Sequence, residues 1–283
     1  MLRIAIQAKG RLYEETMSLL NETGIKLESS KRLLLIPARN FPLEVLFLRD
    51  DDIPQSVADG VADIGIVGEN EYAEKKKNVL ITKRLGFSKC RLSLAIPKEI
   101  DYTGISWFNG KVIATSYPEI LRDFLNENNV SADIHVITGS VEIAPNIGLA
   151  DAIFDIVSSG STLVTNHLKE VEVLMQSEAL MISNPNLSDE KITLLNEFLF
   201  RIEAVLLADG KKYVLMNVPT DNIDKIIEVL PGIKSPTIMP LAKEGWNSLH
   251  AVIDEKRFWD IIWKLKKLGA EGILVVPIEK MIL

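Results

Sequence analysis

Asp151-Ala152-Ile153-Phe154-Asp155-Ile156-Val157-Ser158-Ser159-Gly160-Ser161-Thr162-Leu163 reads as a buried strand that turns into a helix through small and hydroxylated residues. The apolar run over 153–157 is broken by one acid, Asp155, near its end. Backbone N–H groups in the first turn of a helix have no partner within the helix, and the helix dipole favours an anion there. Gly160 allows close approach to the backbone, while Ser158, Ser159, Ser161 and Thr162 add hydroxyl donors. The stretch predicts a phosphate cradle, with Asp155 beside it to accept hydrogen bonds from sugar hydroxyls. Taken alone, the same pattern also describes an ordinary Ser/Thr helix cap. The surrounding sequence has to decide.

Working outward, strands are expected at 111–115 and 134–137, with a helix over 118–126 between them. Closer to the N-terminus, apolar runs at 3–8, 33–36, 45–48 and 64–67 read as strands. A helix over Arg11–Glu22 separates the first two, and Asp52-Ile53-Pro54 opens a shorter one. Strands alternating with helices argue for a largely parallel α/β sheet. After 171–175 and 179–182 comes a long helix, Asp189–Ala208, with Ile192, Leu195, Leu199, Ile202 and Leu206 on one stripe at helical spacing. The stripe is expected to lie against a domain.

Beyond Asp209-Gly210 the pattern changes. Strands are expected at 213–218, 237–241, 249–253 and 273–276, the middle two flanking Glu244-Gly245. Helices are expected over 221–230, ended by Pro231-Gly232, and over 255–268, ended by Gly269. The second helix turns Phe258, Ile261, Ile262, Leu265 and Leu268 inward and Lys264, Lys266 and Lys267 outward. The order β-α-β-β-α-β is the ferredoxin-like arrangement.

A chain of 283 residues is long enough for two or three domains. Its formal charge of −7 leaves no basic footprint for nucleic acid or an anionic membrane. The single cysteine, Cys90, rules out an internal disulfide, and no Cys/His cluster has zinc-site spacing. Apolar runs are too short for a signal peptide or a bilayer span, so the chain is expected to be cytoplasmic. His135, His167 and His250 are isolated and receive no catalytic role. Asp50, Asp51 and Asp52 resemble a metal cluster but read more simply as charges at a helix start, so no protein metal site is expected. Lys9, Arg11 and Arg49 follow expected strands, where cations face the cleft of an open α/β sheet, although solvated surface charge is the plainer alternative for each. Tyr117 could stack on a base or be an ordinary half-buried tyrosine.

Upstream of the cradle stand Gly139-Ser140-Val141-Glu142, Ala144-Pro145, Gly148 and Ala150-Asp151. A glutamate, five residues and a glycine, then Ala150, Ile153, Asp155, Ser159-Gly160 and Thr162-Leu163, make up a pattern that resembles the signature of the ATP phosphoribosyltransferase family. Other stretches are similar to its landmarks. They are Gln7 with Lys9-Gly10-Arg11, Arg49 through Pro54, Asp63-Ile64-Gly65-Ile66-Val67-Gly68-Glu69-Asn70, Cys90-Arg91-Leu92-Ser93, Ala114-Thr115-Ser116-Tyr117-Pro118 and Ser235-Pro236-Thr237. The order of Ala8 and Lys9 differs from that of some relatives.

The resemblance implies a long, histidine-regulated form. Its fold would be a two-lobed catalytic unit like a periplasmic binding protein plus a C-terminal ferredoxin-like regulatory domain. Lobe one would hold 1–93 with 179–208, lobe two 94–178 with the phosphoribosyl pyrophosphate loop, and 211–283 would bind histidine. The implied reaction joins ATP, through adenine N1, to phosphoribosyl pyrophosphate at the first step of histidine biosynthesis, with Mg²⁺ accompanying the pyrophosphate. Glu142 and Asp155 would act on the ribose, with 158–162 binding the phosphoribosyl group. Lys9, Gly10, Arg11, Arg49, Glu69, Arg91 and Tyr117 would meet ATP, and Ser235, Thr237 and Gly272 would meet L-histidine as inhibitor. A homo-oligomer, dimer and hexamer, is implied. The rival reading is a cytoplasmic two-lobed sensor without catalysis, which has no reason to carry Glu142 with the cradle. A silent subunit of the short form would lack the extra C-terminal domain.

Overall fold

The computed structural model describes residues 1–28, 34–230 and 236–283. They form two compact units, Met1–Leu195 and Asn196–Leu283, and the sequence-expected helix Asp189–Ala208 spans the division.

The first unit contains two sheets. Its strands are β1 (Leu2–Gln7), β2 (Leu35–Pro37), β3 (Leu43–Leu48), β4 (Ile64–Gly68), β5 (Leu80–Arg84), β6 (Cys90–Pro97), β7 (Val112–Thr115), β8 (Asp133–Val136), β9 (Ala152–Val157), β10 (Leu168–Ser177) and β11 (Ala179–Ser183). Its helices are α1 (Arg11–Glu22), α2 (Ile53–Ala58), α3 (Glu69–Lys75), α4 (Pro118–Glu127) and α5 (Ser161–Thr165), and α6 (Asp189–Ala208) carries the chain on into the second unit. The first sheet runs β2-β3-β1-β4-β11-β5 and the second β10-β6-β9-β7-β8, one for each lobe.

Neither sheet is largely parallel, which corrects the sequence reading. β1 runs parallel to β3 and β4, and β7 parallel to β8 and β9. The pairs β2–β3, β4–β11, β11–β5, β10–β6 and β6–β9 are antiparallel. The cause is the chain path. Helical crossovers bring strands back parallel, whereas β6 enters the second lobe and β11 returns to the first without one. β6 belongs to the second sheet along its whole length, so residues 90–93 stand with lobe two. Leu2, Ile4, Ala5 and Ile6 are fully buried because β1 lies centrally and is covered on both faces.

The expected stripe on α6 is rotated. Ile192 is exposed and Leu199 and Leu206 are half-buried, whereas Leu195, Phe198, Ile202 and Val205 form the buried line. A helix apolar on more than one side fits several stripes, and Phe198 selects this one. At its start, Lys191 pairs with Asp63 at 2.6 Å, and Asp63 also accepts the Arg3 N–H at 2.8 Å.

The second unit adds β12 (Lys211–Pro219), α7 (Ile223–Val229), β13 (Thr237–Pro240), β14 (Trp246–Asp254), α8 (Phe258–Lys267) and β15 (Glu271–Pro277). The sheet order β13-β14-β12-β15, with antiparallel neighbours, is the ferredoxin-like one. Its core joins Val214, Met216 and Val218 to Ile226, Ile261 and Leu265. The expected stop at Pro231-Gly232 lies outside the described residues. Among the described residues no helix is long and apolar enough to cross a membrane.

Candidate active site

The parallel strands decide where loops collect. Arg49 follows β3, Lys9-Gly10-Arg11 follows β1 and Glu69 follows β4, all at the C-terminal edge of the first sheet. An Ala8 N–H to Leu48 O bond of 2.9 Å ties two of these strand ends together. In the second lobe, Ser116-Tyr117 follows β7, Glu142 lies after β8, and the cradle follows β9. Such C-terminal edges are where open α/β sheets bind ligands.

The cradle is assembled by its apolar underside. Val141, Ala144, Ile153, Val157 and Leu163 form one buried cluster, which fastens the short turn carrying Glu142 to the end of β9. Above it lies a cavity of about 140 Å³ lined by Glu142, Asp155, Ser158, Ser159, Gly160 and Thr162. Gly160 caps α5 at φ +80°, a left-handed conformation that costs an L side chain energy. A Cβ added there would meet only Val157 Cγ1 at 3.9 Å, so the space above the backbone is open. Ser161 instead shares its hydroxyl with Ser159 at 3.0 Å, bracing the turn.

Asp155 is half-buried, and Oδ1 accepts the Ile156 N–H at 2.8 Å. Burial raises its carboxyl from 3.8 to about 6; the Ile156 N–H opposes that shift and the charge of Glu142 adds to it. The two expected ribose carboxylates therefore share one environment.

Arg91 stands on the cradle side, in the second sheet. Glu170 grips it through two contacts of 2.5 and 2.7 Å, and its Nη1 donates to Ser158 O at 3.2 Å. Ser93 also donates to Glu170, at 2.6 Å. Arg91 thus backs the loop from beneath. Glu69 is occupied as well, since it pairs with Arg84, which reaches Glu178 at 3.1 Å. Tyr117 is 7% exposed with its ring in the core of lobe two; its hydroxyl accepts from Asn70 Nδ2 at 3.1 Å and also hydrogen-bonds Glu71. That leaves the ring no open face for a base. Lys9 and Gly10 are exposed; Arg11 donates to Lys89 O at 3.0 Å, and Arg49 meets Asp51 at 3.3 Å while remaining 72% exposed.

Sequence reasoning passed over Glu71. It is buried, and its carboxyl rises from 4.5 to about 7, chiefly through burial and then through the charge of Asp50. Burial, followed by the charges of Glu71 and Asp155, also pushes the Tyr117 phenol upward. The signal was a second acid right after a buried strand, which reads as a plain helix-start charge. Among the described residues no three potential metal ligands converge.

In the second unit, Thr237 pairs with His250, and His250 bonds the Tyr213 and Ser248 hydroxyls, each at 2.9 Å. Gly272 lies near the start of the opposite edge strand, so β14 and β12 intervene, about 14 Å at ordinary strand spacing. One chain does not bring Thr237 and Gly272 together. Ser235 lies outside the described residues.

The family model for ATP phosphoribosyltransferase matches residues 49–204, and that for the HisG C-terminal domain matches residues 208–280. This chain belongs to the ATP phosphoribosyltransferase family. An ATP phosphoribosyltransferase of Phocaeicola vulgatus is 72% identical over 283 residues, the whole of both chains. One of Cytophaga hutchinsonii is 59% identical over 281 residues, covering 99% of this chain and 98% of the relative. Among solved structures, an ATP phosphoribosyl transferase (HisG:HisZ) complex from Thermotoga maritima matches with a TM-score of 0.65 at 31% identity. It covers 74% of this chain and all of that one. The signature expected of the family, Glu142 through Leu163, is the stretch that builds the cavity over β9.

Proposed function

We infer that this family member transfers the phosphoribosyl group of phosphoribosyl pyrophosphate to N1 of ATP, forming phosphoribosyl-ATP and pyrophosphate, the first step of histidine biosynthesis. The observation that carries the reading is the cavity that gathers Glu142 and Asp155 around the open backbone at Gly160. A sensor without chemistry would need no such pair of acids beside an anion cradle.

The N–H groups and hydroxyls of 158–162 would hold the 5′-phosphate, with Arg91 steadying the loop through Ser158 O. Asp155 and Glu142 would accept hydrogen bonds from the ribose hydroxyls. As pyrophosphate departs, the ribose gains positive character, and carboxylates held beside it stabilise that charge more than they stabilise the ground state. Lys9 and Arg49 on exposed loops of the other lobe, with Arg11 at the exposed start of α1, are cations available for ATP phosphates.

A divalent ion fits this site as a companion of the substrate. The donors present are hard oxygens, Asp155 and Glu142 being the nearest carboxylates, and Mg²⁺ characteristically takes one or two carboxylates plus phosphate oxygens. Once bound, it would neutralise charge on the leaving pyrophosphate. An enzyme fed by ATP and phosphoribosyl pyrophosphate would work in the cytoplasm, where both are made. The second unit would bind histidine between copies of the chain, which assemble as a homo-oligomer. The direct test is the absorbance of phosphoribosyl-ATP on mixing protein, ATP, phosphoribosyl pyrophosphate and Mg²⁺. Product is expected, and its absence at high enzyme concentration would refute the reading.

A further inference from the structure

Several contacts that join the two lobes come from α3 and the residue after it, and most of them meet one segment of lobe two, from Tyr117 to Asp123. At the start of α3, Asn70 reaches Tyr117, and its Oδ1 accepts Ser177 Oγ at 3.0 Å, where the chain is about to return to lobe one. Near its end, Glu74, 7% exposed, accepts the Glu119 N–H at 3.0 and 3.1 Å and the Ile120 N–H at 3.0 Å. Lys76, just beyond α3, adopts φ +48° and places Nζ 2.7 Å from Asp123 and 3.8 Å from Glu119.

The amides of a first helical turn need acceptors from outside the helix. The residue that caps α4 in sequence, Tyr117, gives none from its side chain. Glu74 supplies them from the other lobe, and its negative charge suits the dipole of α4. Turning Glu74 away while this boundary stays packed would leave a buried carboxylate without its donors and two amides without an acceptor, which is costly on both sides. The exposed Lys76 pairs add little by comparison. The joint also lies beside the chain crossings between lobes, since Glu69 N–H donates to Glu178 O at 2.9 Å.

We propose that Glu74 is a positioning residue for the transfer: by capping α4 across the lobe boundary it fixes the spacing between the ATP-side loops and the phosphoribosyl cradle. The inference rests on the transfer reading above. Glu74 touches neither substrate, and its effect runs entirely through the placement of α4 and the strand ends beside it. Displacement of reacting groups by about 1 Å can cost on the order of 10²-fold in rate.

Glu74→Gln in the full chain keeps the size but turns one acceptor oxygen into a donor facing donors. Three measurements decide the matter. Hydrogen exchange of the Glu119 and Ile120 amides should accelerate. Calorimetric affinity for phosphoribosyl pyrophosphate alone should stay within about twofold, because the cradle lies wholly in lobe two. Turnover with both substrates should fall at least about tenfold. Glu74→Asp, which keeps the charge on a shorter stem, should recover part of that turnover; it carries the same measurements if the Gln variant does not fold. Unchanged exchange, unchanged turnover, or a loss of phosphoribosyl pyrophosphate affinity as large as the loss of turnover would each overturn the proposal. A wild-type chain that forms no product would overturn the transfer reading, and the positioning role with it, whereas these three outcomes strike the positioning role alone.

Discussion

Asp155 is set where it is useful to a reaction and costly to the fold. Its carboxyl is raised to about 6, so the folded state binds the proton more tightly than the unfolded state does. Below about pH 4 both states are protonated and the burial carries no charge penalty. Stability falls as pH rises from about 4 to 6, and above 6 the full penalty stands, on the order of 2–3 kcal/mol. Asp155→Asn should therefore raise the Tm by several degrees at pH 8 while leaving it nearly unchanged at pH 4. The same variant should lower turnover by about 10², and wild-type kcat/KM should decline below pH 6 as the carboxylate is lost. Thermal scans at the two pH values and a rate profile check both halves. A variant as active as the wild type would remove Asp155 from the chemistry. The place of Asp155 was legible because its whole setting is local, strand, acid, glycine and hydroxyls in one run. The surroundings of Arg91 were not, since its partner Glu170 lies 79 residues away and arrives through an antiparallel pairing no local pattern announces.

At the scale of elements, the cradle depends on a backbone conformation as much as on open space. Gly160→Ala introduces little bulk, yet at φ +80° it strains the turn by roughly 1–2 kcal/mol. Gly160→Val adds a branched side chain in the region the 5′-phosphate would occupy. Phosphoribosyl pyrophosphate affinity should fall in the order Gly, Ala, Val, with ATP affinity changed far less, as calorimetry of each ligand would show. Equal losses for both ligands would indicate a damaged lobe. Helices α1 and α6 ended where their sequence patterns end, because each is long and bounded by clear signals. Strand β5 escaped notice because its residues are exposed or half-buried with no alternation and no buried face. Strand β6 was not anticipated at all, and the sense of β11 was hidden too, being set by which lobe the chain enters and not by side-chain period.

For the whole molecule, the second unit poses the question of what its uncovered sheet face is for. α7 and α8 cover one face, burying Val214, Met216, Leu249 and Ile253. By strand alternation the other carries Tyr213, Leu215, Ser248, His250, Thr237 and Met239, and on the edge strand Leu274 and Val276, which are 62% and 44% exposed. Apolar residues on an open face with a hydroxyl–imidazole network among them suit contact with a second copy and a small polar ligand. Because Thr237 and Gly272 stand on opposite edges, a histidine site using both would need edges from two chains. Deleting the unit is a poor test, since the Met281 N–H bonds Ala204 O at 2.8 Å within α6 and a cut would disturb that helix. Leu274→Lys is cleaner. Effector coupling requires that histidine bind the less active state better, and an effector held between copies loses its site when they part. Sedimentation should show a smaller assembly, inhibition by histidine should weaken at least about tenfold, and turnover without histidine should stay within about twofold of the wild type. A smaller assembly that keeps full sensitivity would place the effector site within one chain and refute the shared-edge reading.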